Sequence, residues 1–150
     1  MAFEHLLYIP KGSDMRVNEL AGKLNVTADA VRYYTRIGLL SPRKSIENGY
    51  KNYSSEDEKR LVFILKSRKL GFAISEIQEI IDMSRTGKSP CCKVRDMVIQ
   101  HLDETAEKIL ELQQLHGHMK RATDAWVKMP DSTPDGNSIC DLIEMWDSVD

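Results

Sequence analysis

The chain has 150 residues and a net charge of −2, and 41% of its residues are apolar and 29% charged, as in ordinary folded proteins. No apolar run approaches the ~20 residues that would span a bilayer, so we expect no membrane partner. The N-terminal run M-A-F-E-H-L-L-Y-I-P lacks a basic leader and a cleavage site, so we expect no signal peptide. Three cysteines cannot form a disulfide framework, which favours a reducing, cytoplasmic location.

Charge is divided unevenly along the chain. Residues 11–71 contain 13 Lys and Arg against 7 Asp and Glu, whereas residues 72–150 contain 8 against 15. A basic segment attracts polyanions such as nucleic acid, and an acidic segment repels them. The distribution indicates that only the first half of the chain meets a polyanion, although a solvated charged surface can show the same split.

Two short helices are predicted after the first fourteen residues, which we interpret as an N-terminal extension (residues 1–14). Asn25 ends the first helix, Thr27 can cap the second, and Gly38 stops it. Such a pair of joined helices is a helix-turn-helix, although many all-helical proteins contain similar pairs. The apolar positions that follow helical spacing are Val17, Leu20, Ala21 and Leu24, then Ala30, Val31, Tyr34 and Ile37.

A basic hairpin is predicted directly after this helix pair. Its turn contains Asn48 and Gly49, a dipeptide that is the strongest short hairpin signal. A basic hairpin in this position is typical of a wing, whose Lys and Arg neutralise phosphates and whose Tyr hydroxyls bond to the nucleic-acid backbone. The alternative is an ordinary surface hairpin whose tyrosines pack in the core. The basic and aromatic residues are Arg43, Lys44, Tyr50, Lys51 and Tyr53.

Two capped helices are predicted next. Ser55 and Glu58 have the spacing of a capping box for the first, which Gly71 ends. Ser75 and Gln78 have the same spacing for the second.

The longest predicted helix runs from Pro90 to about Trp126. A narrow apolar seam on a charged helix has no partner within its own chain, so we predict a parallel or antiparallel coiled coil with a second copy. Folding back onto the N-terminal domain would need a wider apolar face. The seam, in alternating steps of four and three, is Val98, Leu102, Thr105, Ile109, Leu112, His116 and Met119.

Three runs of sequence are more specific than any single element. They are V-N-E-L-A-G-K-L-N-V-T-A-D-A-V-R-Y-Y-T-R-I-G-L-L-S-P-R, N-G-Y-K-N-Y-S-S-E-D and L-V-F-I-L-K-S-R-K-L-G-F-A-I-S-E-I-Q-E-I-I. Over these runs the chain resembles the MerR family of bacterial transcription regulators. The resemblance implies a mainly helical (all-α) fold. It would comprise a winged helix-turn-helix DNA-binding domain (residues 15–86), a dimerisation helix in an antiparallel coiled coil (residues 87–126), and an effector loop with a short helix (residues 127–150).

The resemblance also implies how such a protein would act. Family members are homodimers that bind palindromic double-stranded promoter DNA between two promoter elements whose spacer is over-long. The activated dimer bends and untwists this spacer so that RNA polymerase engages both elements, which is indirect readout used as a switch. We find no nucleophile–base pair, phosphate loop or paired carboxylates in the sequence, so we do not expect an enzyme.

Eight residues are predicted to contact DNA. The R-Y-Y motif falls in the family's recognition helix, and the family's wing motif covers Tyr50 to Tyr53. Lys51 stands where members usually have Arg, so it keeps the phosphate charge without the bidentate fork and should make a positioning contact. Arg16 and Arg36 could instead be solvated charges, and Tyr34 is expected in the core. The predicted contacts are Arg16, Arg32, Tyr33, Arg36, Arg43, Tyr50, Lys51 and Tyr53.

Cysteines suggest the effector. Metal-responsive members of the family place one cysteine at the start of the dimerisation helix and others in a loop that reaches over from the partner subunit. Cys91 or Cys92 matches the first position and Cys140 the last, but the middle cysteine is absent near Ala125 and Trp126. Thiolates select soft ions, so the expected effector is zinc, cadmium, mercury, lead or copper.

The geometry of the cysteine pair leaves alternatives open. With Ser89 as N-cap and Pro90 as the first helical residue, both thiols would lie in the first turn, where the helix dipole favours thiolate. Adjacent helical residues diverge by about 100°, so one would bind and the other pack. For zinc, His101, His116 or His118 could complete the site. Alternatively, the effector is an organic or redox signal that binds an apolar pocket. The candidate lining residues, which an ordinary terminal helix could also use to dock on the dimer, are Trp126, Met129, Met145 and Trp146.

Overall fold

The computed structural model describes residues 14–147, so the predicted N-terminal extension lies, except for Asp14, outside the described residues. The mainly helical fold class is confirmed. The elements are α1 (Val17–Lys23), α2 (Ala28–Arg36), β1 (Arg43–Lys44), β2 (Lys51–Asn52), α3 (Ser55–Lys69), α4 (Ile74–Arg85), α5 (Cys91–Trp126) and α6 (Asp141–Glu144).

The chain divides into two compact units between Val98 and Ile99, inside α5. From the sequence we placed this division between residues 86 and 87. The difference has a packing cause, because Val94, Met97 and Val98 lie against the hydrophobic core of the N-terminal unit. The first turns of α5 therefore belong to that unit.

The predicted helix-turn-helix is present, and two residues between its helices shape the turn. Asn25 takes a left-handed backbone conformation, with φ of 54°, directly after α1 ends. Thr27 then caps α2, since its side-chain oxygen accepts a hydrogen bond of 3.1 Å from the backbone N–H of Ala30. Leu20 of α1 and Val31 of α2 are fully buried. The two helices are thus held together by apolar contact as well as by the turn.

One hydrophobic core holds the helix pair, the hairpin, α3 and α4 together. Tyr34 is partly buried against this core, as its helical spacing predicted. The buried members are Leu20, Ala21, Val31, Leu39, Leu40, Tyr53, Leu61, Ile64, Phe72, Ile77, Ile80 and Ile81.

The wing is a short antiparallel hairpin in which Arg43 pairs with Asn52 and Lys44 with Lys51. Gly49 has φ of +70° in its turn, a conformation that glycine adopts without steric cost. A further antiparallel bridge joins Met15 to Tyr53, with backbone N–H···O distances of 2.8 and 2.7 Å. The hairpin is therefore anchored to the segment that precedes α1.

The cap of α3 lies one residue earlier than the Ser55–Glu58 pattern predicted. The N-cap is Ser54, whose hydroxyl oxygen accepts from the backbone N–H of Asp57 at 3.2 Å. In return, the Asp57 carboxylate accepts from the Ser54 backbone N–H at 3.0 Å. Asp57 also accepts from the backbone N–H of Ser41 at 3.1 Å, a tertiary contact that the Glu58 pairing would not provide.

The cap predicted for α4 is also wrong. Ser75 and Gln78 both lie inside the helix, which begins at Ile74. Its first turn is closed by Glu76, whose carboxylate accepts from the backbone N–H of Ala73 at 2.9 Å. An alanine N-cap has no side-chain acceptor, so a pattern based on Ser or Thr could not find it.

Helix α5 is continuous from Cys91 to Trp126 and contains Gly117. Among the described residues, no helix is long and apolar enough to cross a membrane. Several large apolar side chains of α5 are exposed in the single chain, including Leu102 at 68% and Leu112 at 64%. In the C-terminal unit, the rings of Trp126 and Trp146 meet edge to face, with centroids 5.9 Å apart.

We expect Asp57→Ala to lower the free energy of unfolding by about 2–3 kcal/mol, because it removes the helix cap and leaves the N–H groups of Ser41 and Ser54 without their acceptor. Urea unfolding measures this change. Glu56→Ala, which removes an exposed carboxylate from the same turn, is the matched control and should stay within ~0.5 kcal/mol of wild type. Equal losses in the two variants would contradict the assigned role of Asp57.

Candidate nucleic-acid interface and thiol positions

A concave surface of about 450 Å³ lies between the start of α1, the exposed face of α2 and the wing. We call it the basic concavity. Five residues predicted to contact DNA line it, namely Arg16, Arg32, Tyr50, Lys51 and Tyr53. Residues from three elements that are separate in sequence thus share one positively charged surface. The other lining residues are Val17, Asn18 and Gly49.

Arg16 joins the first helix to the wing. It is the N-cap residue of α1, and its guanidinium carbon lies 4.5 Å from the centroid of the Tyr50 ring. Such a cation–π contact holds the planar guanidinium over the ring face. The Tyr50 side chain is 56% exposed, so both groups remain accessible to a ligand.

The exposed face of α2 carries two paired cations. Arg32 Nη1 lies 2.8 Å from Asp29 Oδ1, one helical turn before it. The Arg36 guanidinium lies 5.8 Å from the centroid of the Tyr33 ring, which is itself exposed. Arg36 and Tyr33 share the helix with Arg32 but do not line the basic concavity.

Two predicted contacts are placed differently. Tyr53 is only 1% exposed, and its hydroxyl bonds to Thr35 Oγ1 at 2.8 Å. Tyr53 is therefore a core residue and not the surface DNA contact that we predicted. Arg43 is exposed, but it lines a second, polar depression together with Asp14 and Arg60 rather than the basic concavity.

Sequence reasoning missed one residue that lines the basic concavity and the ion partner of another. Asn18 lines the basic concavity from the first turn of α1, and no pattern in the sequence distinguishes it from an ordinary surface residue. Asp29 was also missed, although its position three residues before Arg32 is the spacing of a helical ion pair.

Cys91 and Cys92 are exposed in the first turn of α5, and both are free thiols. The helix begins at Cys91, one residue later than we predicted. Ser89, which we predicted as the N-cap, lies two residues before this start, and its hydroxyl oxygen accepts from the backbone N–H of Cys91 at 3.4 Å. The thiols are therefore accessible at the positive end of a long helix.

Cys140 is the N-cap residue of α6 and is partly buried. Its backbone N–H donates to Glu144 Oε2 at 3.0 Å, and that of Ile139 donates to the same oxygen at 3.1 Å. Upstream, the backbone N–H groups of Asn137 and Ser138 donate to Asp135, which lowers the pKa of that carboxyl. The segment around Cys140 thus has its own hydrogen-bond framework.

Within residues 14–147 of one chain, no three His, Cys, Asp or Glu side chains are grouped to hold a metal ion. His101 lies 3.4 Å from Glu104 on its own helix. His116 is exposed and lines a shallow depression with Ile109, Leu112 and Gln113. The thiol groups of the cysteines are soft donors that suit a thiophilic ion.

We expect Tyr53→Phe to lower the free energy of unfolding by about 1 kcal/mol, because it removes the hydroxyl bonded to Thr35. DNA affinity, measured by fluorescence anisotropy, should not change. The matched variant Tyr50→Phe should leave stability unchanged and weaken DNA binding, since the Tyr50 hydroxyl is at the surface. A loss of DNA affinity in Tyr53→Phe without a loss of stability would contradict the core assignment.

Comparison with known proteins identifies the family. The model for the "MerR HTH family regulatory protein" matches residues 15–84, and that for "MerR, DNA binding" matches residues 58–122. The mercuric resistance operon regulatory protein of Bacillus cereus is 32% identical over 100 residues, which cover 67% of this chain and 76% of that protein. The transcriptional regulator ZntR of Escherichia coli K12 is 32% identical over 111 residues, covering 73% and 79%.

A solved structure supports the same family assignment. A MerR-family transcriptional regulator from Bacillus cereus has a TM-score of 0.65 and 29% identity, covering 79% of this chain and 87% of that one. The relatives are transcription regulators, in agreement with the expectation that the chain is not an enzyme. The sequence, the winged helix-turn-helix and these matches show that the chain belongs to the MerR family of DNA-binding transcription regulators.

Proposed function

We propose that the chain is a homodimeric regulator that binds a palindromic promoter site. When its effector binds, it bends and untwists the spacer DNA so that RNA polymerase can engage both promoter elements. The observation that carries the proposal is the basic concavity, where Arg16, Arg32 and Lys51 converge from α1, α2 and the wing. Lys and Arg on one concave surface suit a phosphate backbone.

The second subunit is inferred from α5. Its large apolar side chains from Ile99 to Met119 are exposed in the single chain, which is unfavourable for a helix in water. Their alternating steps of four and three suit knobs-into-holes packing against a second α5.

An antiparallel pairing would bring the cysteines of two subunits near each other. The seam from Val98 to Met119 is centred between residues 108 and 109. In an antiparallel pair about that centre, Cys91 lies opposite Trp126 of the partner subunit. The segment that follows Trp126 in the partner contains Cys140.

We propose that the effector is a thiophilic metal ion held by Cys91 or Cys92 together with Cys140 of the partner subunit. Exposed thiols at a helix N-terminus and the absence of a complete ligand group within residues 14–147 support a shared site. A bound ion would link the start of one α5 to the C-terminal segment of the other chain. The exposure of Cys91 and Cys92 also suits a redox or electrophile signal, which is the second candidate effector.

We expect Lys51→Ala to flatten the slope of log K against log salt by roughly one unit, because one phosphate contact is lost. Anisotropy titrations of a promoter-length duplex at several salt concentrations measure the slope. Lys128→Ala is the matched control, since it removes the same charge from an exposed position in the C-terminal unit. A slope unchanged by Lys51→Ala would show that the wing does not contact phosphate.

Metal titration of the reduced protein should show one ion per chain, and Cys140→Ser should abolish this binding. Mixed dimers of Cys140→Ser with a Cys91→Ser/Cys92→Ser double variant should recover one ion per dimer, because one of the two shared sites is then complete. Equilibrium dialysis with zinc, cadmium, mercury or lead measures the stoichiometry. No recovery in the mixed dimers would contradict a shared site, and no binding by wild type would favour the redox or electrophile signal.

A further inference from the structure

Helix α2 presents one carboxylate among the cations of the candidate DNA surface. Asp29 lies in its first turn, and its side chain is 92% exposed. Arg16, Arg32 and Lys51 line the neighbouring basic concavity. A carboxylate beside a phosphate backbone opposes binding electrostatically. Its presence on this face therefore lowers affinity for DNA in general.

The carboxylate has one defined partner. Arg32 Nη1 donates to Asp29 Oδ1 at 2.8 Å. Side chains on a helix lean toward its N-terminus, so the Arg32 stem runs back along α2 to the turn that carries Asp29. A guanidinium has five N–H donors, and this contact uses one of them. The Arg32 guanidinium is held in place while most of its donors remain available.

Under the proposed function, the Arg32 guanidinium belongs to the helix that reads the DNA sequence. In a helix-turn-helix the second helix enters the major groove, and its N-terminal residues reach the base edges. Arg that donates two hydrogen bonds to guanine O6 and N7 is the commonest specific contact. An unrestrained Arg loses much of its rotamer freedom when it forms that contact. Fixing the side chain beforehand reduces this loss.

We propose that Asp29 is a positioning residue, whose carboxylate holds the Arg32 guanidinium for bidentate recognition of one guanine in each operator half-site. The proposal rests on the proposed function, in which α2 reads the operator. Asp29 thereby increases discrimination between sequences while it decreases affinity for DNA of any sequence.

A purely structural role for Asp29 makes a different prediction. An acidic residue in the first turn interacts favourably with the helix dipole whatever the DNA sequence. In that case Asp29→Asn would change stability and leave the base preference of the protein unaltered. Base preference at a single position is therefore the readout that separates the two roles.

The test is selection from a random-sequence duplex library with the full-length protein, followed by affinity measurements on the selected duplex and on its single-base variants. Arg32→Ala should lower the preference for guanine at one position per half-site by roughly 5- to 150-fold. Asp29→Asn should lower the preference at the same position by roughly threefold to tenfold and leave the other positions unchanged.

Asp82→Asn is the matched control. Asp82 pairs with Arg85 at 3.7 Å with the same spacing along α4, and both side chains are about half exposed. This variant removes the same charge by the same substitution and should keep the wild-type preference at every position. Urea unfolding of each variant shows whether it is folded.

A second measurement tests the cost to general affinity. On a fixed duplex without the selected motif, Asp29→Asn should bind about twofold to fivefold more tightly than wild type at low salt. Unchanged guanine preference in Asp29→Asn, with the preference lost in Arg32→Ala, would overturn the positioning role alone. If wild type selected no motif, the proposed sequence-specific function would fail, and the positioning role with it.

Discussion

The buried Tyr53 fixes the geometry on which the candidate DNA surface depends. Its backbone pairs with Met15 ahead of α1, while its hydroxyl bonds to Thr35 Oγ1 on α2 at 2.8 Å. Because Thr35 donates its own proton to the Val31 carbonyl at 2.8 Å, the Tyr53 hydroxyl is the donor in this pair. One residue thus sets the wing relative to both helices of the helix-turn-helix. The backbone bridge and the buried ring hold the wing in place, and the hydroxyl bond adds to the stability of that arrangement.

The elements that could be predicted from the sequence are those with local causes. The turn at Asn25, the cap at Thr27 and the hairpin around Gly49 each depend on residues within a few positions of one another. Two of the predictions that failed involve tertiary contacts, whereas the cap of α4 failed because its N-cap is an alanine. In the cap of α3, Asp57 stands in place of the predicted Glu58, and it also bonds to the backbone of Ser41. For Tyr53, an aromatic residue in a basic hairpin is equally consistent with a wing contact and with a core residue.

The candidate effector region was less predictable than the fold because, under the proposed function, its ligands come from two chains. The sequence could indicate that Cys91 lies at a helix start, but not how Cys140 is held. Glu144 fixes the backbone at Cys140 through two N–H groups. Near the start of α5, Val94 packs against the core of the N-terminal unit, three residues after Cys91. Under the proposed function, a ligand at Cys91 acts next to the packing that joins α5 to the DNA-binding unit.

Three contacts on the surface of the N-terminal unit each involve an arginine. An exposed ion pair such as Asp29–Arg32 contributes less than about 1 kcal/mol to folding in water, and the buried core is sufficient to hold α2 in place. Each of the three contacts restrains a long cationic side chain. The contacts are Arg32–Asp29, Arg16–Tyr50 and Arg36–Tyr33. A side chain that is restrained before binding loses less conformational entropy when a ligand binds. A surface of held cations therefore discriminates by shape and position, which a surface of mobile lysines with equal charge would not do.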